Sequence, residues 1–384
     1  MKKLLLGAAV ALMFSAAAHA QSSVTLYGLL DVGLVYTNNA GGHSQFMATS
    51  GNINGSRWGL RGSEDLGGGL QALFRLENGF SAMTGKLGQG GAEFGRQAYV
   101  GLFSRDLGTL TVGRQYDSVT DYTYMFEAAN IWAPYYFAHP GDLDNGSGGN
   151  RVNNAVKFAS KSYDGFTFGG MYSFGGVSGD FSRNQIWSVG ANYQHGPLAV
   201  GAAFVNAREP NFSYFGNNPS SSTTASNMTA STVYSGYASA KSMQIVTAGV
   251  SYTLGKATLA GMYSNTQFKD IGSLAGLPAV GAGGSAKFHN AEASVTYRLT
   301  PAFLLGASYD YLKGYGVNEA HYQQGVIGAV YLLSKRTDVF ADVGYQHASG
   351  TDSTGHRAVA NLTTVTASST PNQVLAVVGL RHRF

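Results

Sequence analysis

The segment Val377-Val378-Gly379-Leu380-Arg381-His382-Arg383-Phe384 alternates between two kinds of side chain. One parity carries Ala376, Val378, Leu380 and Phe384, and the other carries Val377, Gly379, Arg381 and Arg383. Because successive side chains of a β-strand point to opposite faces, the segment has an apolar face and a polar face. Such a strand is typical of a membrane barrel, in which one face meets lipid and the other a water-filled lumen.

The same alternation recurs along the chain. It is clearest in residues 24–34, 291–299 and 338–346. A tilted strand needs about 9–11 residues to cross a membrane, and these runs match that length. The sequence therefore predicts an all-β protein with many membrane-crossing strands.

The first twenty residues have the pattern of a secretory signal peptide. Lys2 and Lys3 precede the apolar run 4–18, and Ala18-His19-Ala20 supplies a small-x-small cleavage site. The run is shorter than the about 20 apolar residues of a membrane helix. We therefore expect a signal peptide over 1–20 and a single exported barrel domain over 21–384.

Composition limits the classes of function. Lys and Arg number 25 against 21 Asp and Glu, a balance that does not favour a nucleic-acid partner. The chain has no cysteine, so an exported form gains no disulfide and must rely on its backbone hydrogen bonds and burial.

The connections between predicted strands alternate in length. Short, turn-forming stretches lie at 64–69, 105–108, 161–165, 195–197, 254–256, 300–301 and 334–336. Longer polar stretches lie near 37–52, 81–92, 116–150, 176–184, 208–241, 267–287, 314–323 and 348–372. Seven short and eight long connections join sixteen strands, with short periplasmic turns and long extracellular loops. A soluble β-sandwich also alternates, but its connections do not sort by length in this way.

Several motifs resemble those of the general porins of Gram-negative outer membranes, in particular the β-proteobacterial branch. The matching stretches are 23–28, 56–62 with 64–67, 94–102, 113–115 and 379–384. The resemblance implies a 16-stranded antiparallel transmembrane β-barrel whose third long loop folds into the lumen and narrows it. It also implies a homotrimer surrounded by outer-membrane lipids, through which small hydrophilic solutes and ions diffuse passively.

The resemblance further implies a basic cluster on the barrel wall at the constriction. By position in the matching motifs, its members are Arg57, Arg96 and Arg151. The sequence departs from the enterobacterial members at Leu29, where they carry a lumenal lysine.

Side-chain parity independently places two arginines in the lumen. Trp58 and Leu60 have the lipid-facing parity, so Arg57 between its apolar neighbours has the lumen-facing parity. The apolar neighbours of Arg75 and Glu77 likewise face lipid, so these two side chains face the lumen. An arginine facing lipid at mid-depth costs roughly 2–4 kcal/mol, which favours the lumen for both. Arg75 is thus a candidate replacement for the missing lysine.

Carboxylates in the predicted third loop, 116–150, are candidates for the opposite side of the constriction. Asp117, Asp121 and Glu127 come early in this loop. Acidic groups facing arginines across a narrow gap create a transverse field that orients dipolar solutes. The alternative is that these carboxylates only fasten the loop to the wall through ion pairs.

Arg114 has the opposite parity to the wall arginines. It shares the lipid-facing parity of Leu110 and Val112. Either Arg114 reaches toward the membrane surface near the end of its strand, or it makes a subunit contact.

Phe384 ends the sixteenth predicted strand. Since a barrel in lipid leaves no unpaired edge, this strand must pair with the first, which starts near Val24. We expect Phe384 to end the closing seam, and the resemblance implies that it also serves as an assembly signal.

Other functions fit the sequence less well. An outer-membrane enzyme needs a catalytic constellation, but there is no G-x-S-x-G motif and no metal-ligand spacing of histidines, so we expect no catalytic residue, metal or cofactor. A plugged transporter needs a folded domain ahead of its barrel. An adhesin does not account for the many lumenal charges. The arginine-rich wall predicts a mild anion preference, with a substrate-selective channel as the alternative.

Overall fold

The computed structural model describes residues 23–384 as one closed antiparallel sheet. The predicted signal peptide lies outside the described residues. The sheet contains seventeen strand segments, of which the second and third both pair with the first. These two segments are halves of one interrupted strand, so the barrel has sixteen strands and the predicted fold class is confirmed.

The strand segments are β1 (Ser23–Ala40), β2 (His43–Ser50), β3 (Arg57–Gly67), β4 (Leu70–Gly79), β5 (Gln97–Ser104), β6 (Gly108–Gln115), β7 (Val152–Ser160), β8 (Phe166–Ser173), β9 (Ile186–His195), β10 (Leu198–Arg208), β11 (Ser242–Leu254), β12 (Ala257–Lys269), β13 (Ala286–Thr300), β14 (Phe303–Gly316), β15 (His321–Leu332), β16 (Thr337–Ser349) and β17 (Asn372–Arg383). Short α-helices cover Ser118–Tyr122, Ala128–Ile131 and Pro210–Ser213. Single 3₁₀ turns cover Gln89–Gly91, Tyr124–Phe126, Tyr135–Phe137, Pro140–Asp142 and Ser235–Tyr237. In residues 23–384, helices fall short of the length and apolarity that a membrane span requires.

The barrel closes between β1 and β17. Their register runs from Leu29 opposite Arg383 to Thr37 opposite Leu375. One residue beyond the Leu29–Arg383 pair, the Gly28 N–H donates to the Phe384 carbonyl and the Phe384 N–H donates to the Gly28 carbonyl, both at 3.0 Å. A Cβ at Gly28 would lie 2.5 Å from the Phe384 ring, so this close approach requires glycine. The last strand therefore pairs with the first, as the need to leave no unpaired edge predicts.

Two of the predicted long connections are short in the structure. The expectation of a loop over 37–52 was wrong, because β1 and β2 run on until only Gly41 and Gly42 separate them. Both glycines have positive φ, 64° and 103°, which suits a two-residue hairpin turn. Likewise, the stretch 314–323 contains only four residues between β14 and β15.

The interruption between β2 and β3 is organised by a buried carboxylate of β1. Asp31 accepts hydrogen bonds from the backbone N–H groups of Asn52, Ile53 and Asn54 at 2.9–3.0 Å, and from the Asn52 side-chain amide at 2.9 Å. Buried backbone donors need such partners. The turn 51–56 therefore departs from the strand pairing while its backbone N–H groups keep hydrogen-bond acceptors.

Removal of Phe384 should impair assembly more than it alters the finished barrel. The deletion removes both hydrogen bonds to Gly28 and the ring that covers it. We expect a lower yield of heat-resistant, compact protein in unboiled gel electrophoresis, with normal conductance of whatever assembles.

Phe384→Tyr is the matched control, since it keeps the backbone pairs and the aromatic ring. A normal yield of compact protein from the deletion would contradict the role of Phe384 as the seam end and assembly signal.

Candidate functional site

The long connection after β6, called loop L3 here (116–150), packs against the inside of the barrel. Four of its aromatic side chains each lie over a glycine of the wall. The pairs are Tyr122 on Gly190, Phe126 on Gly249, Trp132 on Gly306 and Phe137 on Gly344. A Cβ at any of these glycines would lie 2.1–2.4 Å from a ring atom. Glycine is therefore what lets L3 approach the sheet, across strands β9, β11, β14 and β16.

The start of L3 is fixed by Asp117, which is fully buried. Its carboxylate caps the helix Ser118–Tyr122 by accepting from the Val119 and Thr120 N–H groups at 2.9 and 3.3 Å. The other oxygen accepts from the amide of Asn145 at 2.9 Å and from the hydroxyl of Tyr214. Asp117 thus joins both ends of L3 to a second loop.

Glu127 is also buried within the loop. It accepts hydrogen bonds from the His139 N–H at 3.1 Å and the Ser147 hydroxyl at 2.9 Å. Burial raises the pKa of Glu127 to about 8. Its carboxyl group is enclosed by the loop, away from open solvent, and contributes little negative charge to the lumen.

Asp142 has a similar environment in the second half of L3. It accepts from the N–H groups of Ser147 and Gly149 at 3.0 and 2.8 Å, and from the Tyr135 hydroxyl at 3.0 Å. Burial and the neighbouring Asp144 raise the pKa of Asp142 to about 7. This carboxyl group also stabilises the conformation of the loop and contributes little negative charge to the lumen.

His139 fastens L3 to the opposite wall. Its Nδ1 lies 2.7 Å from Asp144 and its Nε2 lies 3.0 Å from Glu292 of β13. Burial alone would lower the pKa of His139, but the carboxylates of Asp144, Glu127 and Asp310 raise it well above its usual value. An imidazolium ion is therefore the cation of this buried cluster.

Glu127, His139 and Glu292 also have the geometry of a metal site, with one ligand atom of each within 4.8 Å of the others. Both ring nitrogens of His139 already face carboxylates. The protonated histidine thus supplies the positive charge that a metal ion would bring, and we assign the group to loop attachment.

Asp121 is the more exposed of the predicted loop carboxylates. It forms an ion pair with Lys157 of β7 at 2.7 Å. The structure therefore holds Asp117, Asp121 and Glu127 in hydrogen bonds and an ion pair of the loop. None of the three lines the cavity between L3 and strands β3–β5.

The four predicted wall arginines meet at one cavity between L3 and strands β3–β5. Arg57, Arg75, Arg96 and Arg151 all line this cavity, whose volume is about 420 Å³. Glu77 is the one carboxylate among its described lining residues. The cavity wall therefore carries a clear excess of positive charge.

Glu77 connects Arg75 of its own strand, β4, to Arg96, which directly precedes β5. It lies 2.6 Å from Arg75 and 2.8 Å from Arg96, and it accepts from the Tyr27 hydroxyl at 2.8 Å. Parity places Glu77 in the lumen, but only the structure shows that it bridges two arginines.

Tyr116 connects the wall to the end of L3. Its hydroxyl accepts hydrogen bonds from Arg96 and Arg151, both at 2.9 Å. Burial would raise the pKa of Tyr116, but Arg151 and Arg96 lower it below its usual value. The lowered pKa of this phenol indicates a positive electrostatic potential at the cavity. No sequence motif indicates that Tyr116 takes part in the site.

Arg57 differs from Arg75 and Arg96 in having no ion pair. Among residues 23–384, no carboxylate lies within 4.0 Å of its guanidinium. Its charge is therefore free to act on a solute in the cavity.

Arg114 lies away from this cavity, at the outer side of the β6 end. Its Nε donates to the Gly95 carbonyl at 2.8 Å, and its Nη1 donates to the Asn153 side chain and the Asn217 carbonyl. It thereby ties the connection 80–96 to the connection 209–241.

Comparisons with known proteins agree with this architecture. A sequence model of the Gram-negative porin family matches residues 7–351. Outer membrane porin protein 32 of Delftia acidovorans is 30% identical over 412 aligned positions, which cover 100% of both chains. An outer membrane porin protein of Bordetella pertussis is 38% identical over 229 residues, 53% of this chain and 59% of that protein.

Two solved structures with the same fold are relevant here. The anion-selective porin from Comamonas acidovorans has a TM-score of 0.74 at 22% identity and covers 95% of this chain and 100% of its own. The trimer form of OmpT, an outer membrane protein of Vibrio cholerae, has a TM-score of 0.66 at 16% identity, with 94% and 99% coverage. The likeness to β-proteobacterial porins inferred from the motifs is confirmed.

A larger residue at Gly306 should displace Trp132 and loosen L3. Gly306→Leu forces a side chain into the ring, and overpacking of this kind costs roughly 1–3 kcal/mol. In a background with Trp58 and Trp187 replaced by Phe, we expect the Trp132 emission to shift to the red.

Gly261→Leu is the matched control, because its Cβ would meet only the Glu292 carbonyl, at 3.5 Å. An unchanged Trp132 emission in Gly306→Leu would show that L3 does not depend on the wall glycine.

Proposed function

Because the chain belongs to the Gram-negative porin family, we propose that its barrel forms a water-filled channel across the outer membrane for passive diffusion of small hydrophilic solutes and ions, with a preference for anions. The observation that carries the anion preference is the lining of the cavity beside L3. Within residues 23–384, four arginines and a single carboxylate, Glu77, line it.

The loop carboxylates do little to offset these arginines. Asp121 is paired with Lys157, Glu127 is buried with a raised pKa, and Asp117 is enclosed by four hydrogen-bond donors. We propose that they act on permeation by holding L3 in place. The local potential is then dominated by the arginines, within about 10 Å at 0.1 M salt.

We propose Arg57, Arg75, Arg96 and Arg151 as the basic side of the constriction, with distinct roles. Arg75 and Arg96 are held by Glu77, and Arg151 by Tyr116 and the Gly149 carbonyl. Among residues 23–384, Arg57 has neither an ion pair nor a side-chain hydrogen bond, so it is the group best placed to attract a passing anion. The Comamonas acidovorans porin, which is anion-selective and has the same fold, supports this direction of selectivity.

We also propose that the channel assembles as a homotrimer. Support comes from family membership and from the trimer form of the OmpT structure. Family membership likewise favours a channel over the enzyme and adhesin alternatives.

Neutralising Arg57 should reduce the anion preference. Arg57→Gln removes from the cavity a positive charge that has no ion pair, so we expect the reversal potential under a salt gradient across a planar bilayer to move toward the value of a cation-selective channel. Glu77→Gln should move it the opposite way, because it removes the one carboxylate of the lining.

Arg105→Gln provides the control, since it removes the same charge from an exposed turn between β5 and β6. A cation-selective wild-type channel would refute the proposed preference. Equal shifts from Arg57→Gln and Arg105→Gln would refute its location at the cavity.

We propose that Arg114 contributes to the subunit contact by fixing the shape of the connection 80–96. Its bonds to Gly95 and Asn217 hold that connection against the rest of its own chain. Arg114→Ala should therefore lower the temperature at which the trimer dissociates in detergent, measured by unboiled gel electrophoresis.

Arg183→Ala is the control, because Arg183 is an exposed arginine in another long connection, paired with Glu209 at 3.3 Å. Unchanged trimer stability in Arg114→Ala would restrict Arg114 to a role within its own chain.

A further inference from the structure

Tyr116 is the first residue of L3 and lies between two arginines from different parts of the wall. Its hydroxyl accepts hydrogen bonds from Arg96 and Arg151, both at 2.9 Å, and the Arg151 guanidinium lies 4.9 Å from the centre of its ring. Arg96 is in turn paired with Glu77, and Arg151 donates to the Gly149 carbonyl. The phenol therefore joins the wall side of the cavity to the end of L3.

The proton of this hydroxyl is directed toward the cavity. A phenol carries one O–H donor and accepts through its oxygen lone pairs. The oxygen of Tyr116 accepts from two guanidinium groups, and among residues 23–384 its O–H donates to no other group. Tyr116 lines the same cavity as Arg57. In its neutral form it therefore offers a hydrogen-bond donor to an anion that Arg57 attracts.

The surroundings of Tyr116 favour the loss of that proton. The charged and titratable side chains around it are Arg57 of β3, Arg75 and Glu77 of β4, Arg96 before β5, Arg114 of β6, Asp121 and Tyr124 of L3, Arg151 before β7 and Lys157 of β7. The two carboxylates in this set already hold ion pairs. An excess of positive charge therefore surrounds the phenol, and nearby positive charge stabilises a phenolate.

Tyr116 differs in this respect from two other tyrosines of L3 that line the cavity. Burial would raise the pKa of Tyr116, but the charges of Arg151 and Arg96 bring it below the usual value. Burial raises the pKa of Tyr124, and it raises the pKa of Tyr135 well above the usual value. As the pH rises, Tyr116 is therefore the first of the three phenols to ionise.

We propose that Tyr116 is a specificity-determining residue of the channel, whose neutral hydroxyl assists the passage of anions and whose ionisation opposes it. The inference rests on the proposed channel function. Ionisation transfers the phenolic proton to solvent and leaves a negative oxygen bonded to Arg96 and Arg151. Both arginines keep their charge at alkaline pH, because a guanidinium is not deprotonated in proteins. The net charge of the cavity therefore falls by one, and the attraction for anions falls with it.

The test compares the pH dependence of selectivity in the wild type and in Tyr116→Phe, which keeps the ring beside Arg151 but lacks the ionisable hydroxyl. The reversal potential under a potassium chloride gradient is measured in a planar bilayer, from neutral pH to about pH 10, the ordinary pKa of a phenol. We expect the wild-type value to move toward that of a cation-selective channel. One unit charge at about 5 Å in water lowers the local anion concentration roughly fourfold, which sets the size of the effect.

Tyr116→Phe should lack this shift. Tyr124→Phe is the matched control, since it removes the hydroxyl of another tyrosine that lines the cavity, and it should behave like the wild type. The ionisation itself is followed in the wild type with tetranitromethane, which nitrates phenolates. Peptide mass spectrometry should find Tyr116 nitrated at a lower pH than Tyr124, a readout that requires neither a variant nor a conducting channel.

Parallel pH profiles of the wild type and Tyr116→Phe would overturn the proposal, as would nitration of Tyr124 at a lower pH than Tyr116. A wild type that is cation-selective at neutral pH but still shows a Tyr116-dependent shift would refute the anion preference and support the role of Tyr116. Both variants must first show the heat-resistant, compact form of the wild type. If Tyr116→Phe does not reach that form, the order of nitration in the wild type decides.

Discussion

The backbone hydrogen-bond ladder must close on itself, and the rest of the structure depends on that closure. In lipid, an unpaired edge strand would expose a row of polar groups that water cannot reach. Here β1 and β17 meet from Leu29 to Thr37, and Gly28 and Phe384 complete the seam. The interruption at 51–56 is tolerated because the carboxylate of Asp31 replaces the missing ladder partners.

Closure fixes an inner surface on which L3 is built. Wall glycines admit the aromatic residues of the loop, and buried carboxylates hold its backbone. The acidic groups of L3 form the hydrogen bonds and ion pairs of this attachment. We propose that Arg57, Arg75, Arg96 and Arg151 therefore set the charge of the narrowed lumen. Glu77 bridges two of them, Arg75 and Arg96.

The outer surface follows from the same alternation. Along each strand, a side chain that faces the lumen is followed by one that faces lipid. On the outer face of β12–β14, apolar, aromatic and basic side chains follow one another toward the extracellular end. Lys269, Lys287 and Lys313 complete that series. One sheet thus presents a charged passage on its inside and a surface suited to lipid on its outside.

The sequence by itself determined the strands, the parity that turns Arg57 and Arg75 inward, and the pairing of the last strand with the first. These follow from a period of two residues and from the need to pair every edge, which are local properties of the chain. It did not reveal that 37–52 forms a tight hairpin, because two positive-φ glycines suit a loop and a turn equally well. The partners of Asp117, Asp121 and Glu127 were decided only by the tertiary structure. Tyr214 lies 97 residues from Asp117, and Glu292 lies 153 residues from His139. Whether a loop carboxylate faces a solute or fastens the loop depends on such distant partners, since a carboxylate enclosed by donors of its own chain is no longer open to a solute in the lumen.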